Sequence, residues 1–196
     1  MNWKALAFVL IISFGAYQHW QKRAVEYGPG VIAAEAPLQV SHKNRQDIQI
    51  NQYQIIPLEQ FSLRARVLST KSYFTDREAA LSPIDLALGW GRMSDESVLQ
   101  QIQISQSNRW YHWRTDNFPI PRREIETHSA NMHMVPANNE IAQRLKSVRK
   151  GQVVRIEGFL IEVRHPDGWR WRSSLTREDV GVGACEVVLV NALHVD

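Results

Sequence analysis

Residues 152–164 form a long apolar segment with a pattern typical of a β-strand. Its apolar positions are Val153, Val154, Ile156, Phe159, Leu160, Ile161 and Val163. This density of branched side chains predicts a strand, and Gly158 marks a bulge or a sharp bend within it. The turn residues of His165–Gly168 follow, so the alternation that resumes over Trp169–Ser173 predicts a hairpin.

Strand patterns recur through much of the chain beyond residue 52. Apolar and mostly polar residues alternate over residues 61–68, and further strands are predicted over Gln101–Ser105, Arg109–Arg114 and Cys185–Leu193. A bent strand followed directly by a hairpin is typical of small barrels. We therefore expect a mainly β (α+β) fold, a small antiparallel β-barrel, OB-like, with short helices.

Three short helices are expected over the ends of this sheet. Ser82–Pro83 is a helix start signal and predicts a helix through Ile84–Leu88. The acidic turn that begins at Ser94 predicts a second helix, which runs to about Gln100. The third covers Asn139–Val148, where apolar residues share one face and cations follow at the end.

The amino-terminal segment is apolar over Ala5–Tyr17 and carries a tryptophan on each side, Trp3 and Trp20. In a helix that rises 1.5 Å per residue the two indoles lie about 25 Å apart, close to the hydrocarbon thickness of a bilayer. Residues 1–20 are thus predicted to form a transmembrane anchor, or a secretory signal with the same features. The lack of a suitable cleavage site favours the anchor.

The anchor divides the chain into three parts. Residues 21–52 are polar and rich in turn residues, which predicts a tether, and residues 53–196 are predicted to form a single β-rich globular domain. The cations that follow the apolar run favour a cytoplasmic domain, whereas Lys4 directly before it is typical of bacterial export signals. We expect a single-pass inner-membrane protein with a periplasmic domain, attached through residues 3–20.

Composition excludes several classes of protein. The chain carries 23 Lys and Arg against 20 Asp and Glu, a net charge of +3, which does not indicate a general nucleic-acid-binding protein. Cys185 is the single cysteine, which excludes an internal disulfide and a zinc site with two thiolates. Its place at the start of an apolar strand predicts a buried, inert thiol rather than a nucleophile.

Four segments together resemble a family of membrane-anchored proteobacterial proteins with no established activity. They are Phe74–Glu78, Leu81–Gly91, Ile120–His133 and Gly168–Asp179, and the resemblance extends over about residues 60–195. It implies a bacterial source and a small membrane-associated domain. It supplies no catalytic or binding residues.

Tryptophans and cations are interleaved in two of the predicted strands. Trp169 and Trp171 share one face of their strand, and Arg170 and Arg172 share the other. Such a surface can bind an acidic protein, a polyanion or lipid headgroups, while the alternative is that the tryptophans pack in the core and the arginines are solvated. The candidate binding residues are Trp110, Trp113, Trp169, Arg170, Trp171 and Arg172.

A transition-metal site is a second candidate. His128 and His133 lie five positions apart, and His112, Asp116 and Cys185 could approach them in a folded barrel. The chain has no H-E-x-x-H motif, and these histidines could instead hydrogen-bond the backbone of a loop. We therefore predict no cofactor, with a metal at His128 and His133 as the alternative.

The missing motifs favour binding over catalysis. The sequence contains neither a G-x-x-x-x-G-K-[ST] phosphate loop nor a G-x-S-x-G nucleophile turn. We expect a membrane-tethered, non-catalytic binding or assembly module of the bacterial cell envelope. The alternatives are a metal-dependent enzyme around His128 and His133, and an OB-like nucleic-acid-binding domain, which the periplasmic orientation disfavours.

Overall fold

The computed structural model describes residues 3–21, 23–42, 46–179 and 184–196. The α-helices in these ranges are α1 (Trp3–Gln21), α2 (Glu96–Leu99), α3 (Arg122–Thr127) and α4 (Asn139–Ser147). The strands are β1 (Leu38–Ser41), β2 (Ile48–Ile50), β3 (Tyr53–Ser72), β4 (Ile84–Gly89), β5 (Gln103–Ser107), β6 (Trp110–Arg114), β7 (Ser129–Pro136), β8 (Val153–Arg164), β9 (Arg170–Arg172) and β10 (Glu186–Val195). The mainly β fold with a few short helices is confirmed.

Eight of the strands form one sheet, in the order β1-β3-β4-β7-β10-β8-β9, with β2 on β3. β3 also pairs with β8, and β5 and β6 form a separate hairpin. The prediction of an antiparallel sheet is wrong at one place, because β10 pairs in parallel with β7. α4 and β8 connect these two strands, which gives the chain the length that a parallel return requires.

β4 occupies the segment for which a helix was predicted, so that prediction is wrong. All six residues of Ile84–Gly89 are buried. Successive residues of this strand, such as Leu86 and Ala87, point to opposite faces and belong to different core clusters. A strand that is covered on both faces loses the alternation of apolar and polar residues, and its sequence then resembles a buried helix.

The other two predicted helices are confirmed, and each has a side-chain cap. Asp95 accepts a hydrogen bond from the N–H of Ser97 at the start of α2. Asn138 accepts one from the N–H of Ile141 at the start of α4. These caps satisfy N–H groups that have no partner within the helix, which fixes where each helix begins.

The largest core cluster lies on one face of the long strands and beneath α4. Its buried members are Phe61, Leu63, Ala65, Val67, Ile84, Leu86, Leu88, Trp90, Met132, Met134, Ile141, Leu145, Val148, Val154, Ile156, Leu160, Val188, Val190 and Leu193. Val187 and Leu189 alternate with Val188 and Val190 along β10 and belong to a second cluster. Both faces of this strand are therefore buried.

Gly158 lies in β8 between two neighbouring strands, opposite Phe61 of β3 and Val190 of β10. The pairing of β10 with β8 shifts register between Val190 and Ala192, so the irregularity predicted at Gly158 lies in the strand beside it. A Cβ atom added at Gly158 would collide with the backbone carbonyl of Leu189. Glycine is needed here for the close approach of two backbones.

Much of the segment predicted as a tether contacts the domain. β1 and β2 both pair with β3. The hydroxyl of Ser94 accepts hydrogen bonds from the N–H groups of Ile32 and Ala33, at 3.2 and 3.0 Å. Ala33 is buried, and its carbonyl accepts a hydrogen bond from the N–H of Gly91. These contacts hold the described part of residues 23–52 against the sheet.

α1 covers the apolar amino-terminal segment. Its exposed large apolar residues are Trp3, Leu6, Phe8, Val9, Leu10, Ile11, Ile12 and Phe14. Within the described residues, no helix has both the length and the apolarity needed to cross a membrane. The transmembrane anchor therefore stays a prediction.

The close approach at Gly158 predicts a clear loss of stability on substitution. We expect Gly158→Ala to lower the free energy of unfolding by about 1–3 kcal/mol, because the backbone of β10 must move to admit the methyl group. Urea denaturation of the two proteins measures the difference. Gly28→Ala is the matched control, since a Cβ added at Gly28 meets no atom within 4 Å. Equal stability of the Gly158 variant and the parent would contradict this packing.

Candidate functional site

The candidate site lies on one face of the sheet, where β4, β7 and the start of β10 are neighbours. Asp85 of β4 is directly opposite His133 of β7 in the strand register. β10 runs parallel to β7 and begins with Glu186 opposite Met132. Cys185 comes just before this strand, so the parallel pairing brings its side chain to the middle of β7. We call Asp85, His133 and Cys185 the polar triad.

His133 is the central member of the triad. Its Nδ1 lies 2.9 Å from Oδ1 of Asp85, in an ion pair whose alignment is not that of a regular hydrogen bond. Its ring is also within hydrogen-bonding reach of the Cys185 thiol. The indole of Trp171 packs against it, with 4.8 Å between the ring centroids. The ring is buried, so these neighbours form its immediate surroundings.

The electrostatic surroundings favour the protonated form of His133. Burial lowers the pKa of this residue, because a charged ring is less stable away from water. The polar contacts and charges of Asp85 and then of Cys185 act in the opposite direction and outweigh burial, so the pKa of His133 is raised to about 9. At neutral pH the ring is therefore an imidazolium.

Asp85 is fully buried and is held by Arg109 as well as by His133. Nη1 of Arg109 donates to Oδ1 of Asp85 at 2.8 Å, and its Nη2 donates to Asp76 at 2.6 Å. The guanidinium also lies 3.8 Å from the centroid of the Tyr73 ring. Burial lowers the pKa of Arg109, but the two carboxylates outweigh it and raise the pKa, so this cation stays charged.

Arg109 reaches Asp85 because of the turn between β5 and β6. Asn108 and Arg109 form the two-residue loop, and both have φ angles in the left-handed region, 49° at Asn108 and 68° at Arg109. Two left-handed residues are typical of the hairpin turn whose twist matches the flanking strands. The backbone N–H of Arg109 donates to the hydroxyl of Tyr73 at 3.0 Å, which fixes the turn against β3.

Further polar contacts attach the hairpin to β7. Asn131 donates from Nδ2 to the backbone carbonyl of Arg109 at 3.0 Å and accepts from Nε2 of Gln106 at 2.6 Å. The hydroxyl of Tyr111 donates to Oγ of Ser129 at 3.1 Å. Burial raises the pKa of Tyr111 to about 12, so this hydroxyl keeps its proton. The hairpin is thus held at a fixed position beside the triad.

A pocket of about 590 Å³ opens between the hairpin, α3 and the segment before β10. It is lined by Trp110, Tyr111, His112, Trp113, Arg114, Thr115, Phe118, Arg122, Glu126, Thr127, Ser129, Ala130, Asn131, Arg177, Asp179, Ala184 and Cys185. Aromatic rings form one wall, where Trp113 and Phe118 meet edge to face at 6.1 Å. We call this cavity the hairpin pocket.

The cations of the hairpin pocket differ in how strongly they are already paired. Arg177 forms an ion pair with the fully buried Glu186, and burial lowers the pKa of Arg177 to about 10. Arg122 donates to Glu126 at 2.8 Å. Arg114 is 80% exposed and lies 3.7 Å from an equally exposed Asp116, a contact that stabilises little. Arg114 is therefore the cation most available to a ligand.

The predicted binding residues fall on two surfaces rather than one. Trp110 and Trp113 line the hairpin pocket. Trp169 and Arg170 line a separate pocket of about 470 Å³ beside β2, and Trp169 packs against the second core cluster. Arg172 is paired with Glu162, and Trp171 packs on His133.

The two predicted metal ligands have different partners. His128 directly follows α3, and its Nδ1 lies 3.1 Å from the hydroxyl of Thr127. His133 instead forms an ion pair with Asp85. His112 lies 3.2 Å from the hydroxyl of Ser107, and Asp116 is exposed. In the part of the chain that the structure describes, no group of three or more His, Cys, Asp and Glu side chains could hold a metal ion. A metal here remains a prediction.

Two features of the triad differ from what the sequence predicted. Cys185 is partly exposed and lines the hairpin pocket, so the prediction of a buried thiol is wrong. The sequence predicts a helix at Asp85 and no strand at His133, whereas both residues lie in strands. The sequence did contain one signal of this site, the acidic Asp85 within the apolar run 84–88, because a buried carboxylate needs a charged partner.

Comparisons with known proteins do not assign a function. No model of a protein family matches this chain, and neither curated proteins nor solved structures give a match. The resemblance noted in the sequence stays an expectation. Function must therefore be argued from the geometry of the site.

The raised pKa of His133 predicts how stability depends on pH. When folding raises the pKa of a group, its protonated form stabilises the folded state. For His133 this stabilisation is fully present below the unfolded pKa of 6.5, and it is lost as the pH rises through the folded pKa of about 9. We expect the free energy of unfolding to fall over this window by on the order of 3 kcal/mol. Urea denaturation at several pH values measures it.

His133→Gln is the variant that isolates this effect, because glutamine has no charge to gain. Its stability should change much less between pH 6.5 and 9 than that of the parent. Cys185→Ser keeps the ion pair of His133 with Asp85, so it serves as the control and should retain most of the decrease. The same decrease in His133→Gln as in the parent would show that another group causes it.

Proposed function

We propose that this protein is a membrane-tethered binding module of the bacterial cell envelope, and that the hairpin pocket is its ligand site. The observation that carries the proposal is the pocket itself. Its volume of about 590 Å³ is in the range of sites that hold small molecules or side chains of a partner. It combines an aromatic wall with cations, one of which, Arg114, is well exposed.

The strand pairing supports an OB-like barrel as the scaffold. β3, β4, β7, β10 and β8 pair in succession, and β8 pairs again with β3 over most of its length. In chain order these are the first, second, third, fifth and fourth strands, with α4 between the third and fourth, as in OB domains. Such domains bind ligands on the face of their second and third strands and with the loop before the fifth.

The position of the hairpin pocket fits that mode of binding. β4 and β7 take the places of the second and third strands, and they carry Asp85, Asn131 and His133 on the pocket side. Arg177, Asp179 and Cys185 come from the segment between β8 and β10 and line the same pocket. The β5–β6 hairpin, inserted between β4 and β7, provides the aromatic wall.

The lining of the pocket indicates the chemical class of the ligand. Trp110, Trp113 and Phe118 offer flat apolar surfaces, which suit a planar or apolar group. Arg114 offers a charge for an anionic group at the rim. We propose an anionic ligand with a planar or apolar part, and a polyanion of the envelope or an acidic partner would meet this description.

Fluorescence of 8-anilinonaphthalene-1-sulfonate tests the binding site, since this probe joins a planar ring system to a sulfonate. We expect saturable binding that weakens at high salt. Trp110→Ala and Arg114→Gln should each raise the Kd about fivefold, which corresponds to about 1 kcal/mol.

Two matched controls keep the test specific to the pocket. Phe74→Ala removes an exposed aromatic ring, and Arg144→Gln removes a partly exposed cation, both outside the hairpin pocket. Neither should change the Kd. Equal affinity in the pocket and control variants would refute the proposed site. A single-stranded oligonucleotide that displaces the probe would instead favour the OB-like nucleic-acid-binding domain.

The apolar side chains of α1 support attachment to a membrane. We expect the full chain to float with vesicles of phosphatidylethanolamine and phosphatidylglycerol, and the double variant Val9→Asp, Ile12→Asp to lose most of this association, because two carboxylates disfavour apolar surroundings. Val31→Asp, which changes an exposed valine outside α1, is the control. Flotation of the double variant at the level of the parent would contradict anchoring by α1.

We propose that the domain lies on the periplasmic side of the inner membrane. A fusion of alkaline phosphatase to the carboxyl end tests this orientation, because that enzyme needs disulfides and is active only in an oxidising compartment. We expect an active fusion. An inactive fusion that is nevertheless produced would place the domain in the cytoplasm.

A further inference from the structure

The polar triad has the arrangement of a nucleophile, a base and an orienting carboxylate. The Cys185 thiol is within hydrogen-bonding reach of the His133 ring, and Nδ1 of that ring lies 2.9 Å from Oδ1 of Asp85. Three groups connected in this sequence activate cysteine and serine for acyl transfer on many unrelated folds. The arrangement is recognised by its geometry and not by the order of the residues in the chain.

A nucleophile must be accessible to its substrate, whereas its base and orienting carboxylate can be buried, and the three residues differ in exposure in this way. Asp85 and His133 are 0% and 3% exposed, so water has little access to the ion pair. Cys185 is partly exposed and lines the hairpin pocket. A molecule in that pocket can therefore contact Cys185, while Asp85 and His133 stay protected from water.

The ring next to the Cys185 sulfur carries a positive charge at neutral pH. A cysteine in apolar surroundings keeps its proton and is inert, whereas a neighbouring imidazolium stabilises the thiolate. His133 is that neighbour, and Asp85 in turn holds the imidazolium in place. Arg109 pairs with the same carboxylate at 2.8 Å and so helps to hold it in place.

We propose that Cys185 is a nucleophile that accepts an acyl group from an ester or thioester bound in the hairpin pocket. This inference rests on the proposed function at one point, because the substrate is expected to occupy the same hairpin pocket. It assigns catalytic roles to Cys185 and His133, which meet the reacting atoms. Asp85 is a positioning residue that acts through His133.

The first step transfers the acyl group to the protein. The thiolate of Cys185 attacks the carbonyl carbon and forms a C–S bond. The bond from that carbon to the leaving oxygen or sulfur breaks, and its electron pair stays on the leaving atom. The proton of the His133 imidazolium moves to this atom, so that a neutral alcohol or thiol departs.

The second step releases the acyl group. A water molecule attacks the same carbonyl carbon, and neutral His133 accepts its proton. The C–S bond breaks with its electron pair on sulfur, which restores the thiolate and the imidazolium and yields a carboxylic acid. The two steps together hydrolyse the substrate with one water and need no further reactant.

Alkylation by iodoacetamide tests the activation of Cys185 without knowledge of the substrate. Cys185 is the single cysteine, so the loss of free thiol in the full chain reports this residue alone. We expect alkylation at pH 7 to be about tenfold slower in His133→Gln than in the parent, because the imidazolium is lost. His128→Gln is the matched control and should react like the parent.

Acetylation by p-nitrophenyl acetate tests the acyl-transfer step. We expect a burst of p-nitrophenolate equal to one molecule per protein, and an added acetyl group on Cys185 by mass spectrometry. Cys185→Ser should lose the adduct on this peptide, and His133→Gln should slow the burst at least about tenfold. Asp85→Asn should slow both reactions, and Asp85→Glu, which keeps the charge, should restore part of the rate if Asp85 positions the ring.

Folding of each variant is checked by urea denaturation. If Asp85→Asn does not fold, the comparison of His133→Gln with the parent tests the proposal. Equal alkylation rates in the parent and His133→Gln, or no acetyl adduct on Cys185, would overturn the proposal. Binding of 8-anilinonaphthalene-1-sulfonate separates this failure from that of the binding site. An unreactive Cys185 in a protein that binds the probe refutes the nucleophile only, and a reactive Cys185 without probe binding refutes the proposed ligand site only.

Discussion

The buried carboxylate of Asp85 is the constraint around which this face of the molecule is arranged. An unpaired charge at a fully buried position costs on the order of several kcal/mol, so the fold must supply cations to it. Arg109 does so from the β5–β6 turn, and His133 does so from the adjacent strand. One carboxylate thereby fixes the hairpin against the sheet and orients the imidazole that contacts Cys185. Docking of the hairpin also creates the aromatic wall of the hairpin pocket.

The parallel pairing of β10 with β7 is the second condition for the site. The register places Glu186 opposite Met132, so the residue before β10 falls beside the middle of β7. An antiparallel β10 would have begun at the opposite end of β7, with Cys185 far from His133. The connection through α4 and β8 makes the parallel return possible, and the pairing of β8 with both β10 and β3 holds these long strands together.

The proposed ligand binding and the proposed thiol chemistry are compatible in one pocket because they use different residues of it. Trp110, Trp113 and Arg114 lie on the hairpin and can hold a ligand by its apolar and anionic parts. Cys185 lies in the segment just before β10, next to His133 and its partner Asp85. Such a division, with one set of residues for affinity and another for reaction, is how binding energy is used to place a reacting group.

The sequence by itself determined those helices and strands that have one buried and one exposed face, or that have clear turn or cap residues at their ends. The hairpin after β8, the strands β6 and β10, and the capped helices α2 and α4 follow from alternation, turn residues and helix signals. Trp110 and Trp113 could be recognised as binding candidates in the same way. β4 could not, because burial on both faces removes the alternation that marks a strand. Only the tertiary structure decided that Asp85, His133 and Cys185 meet, since contact between distant residues depends on strand order, direction and register, and none of these is encoded in a local pattern.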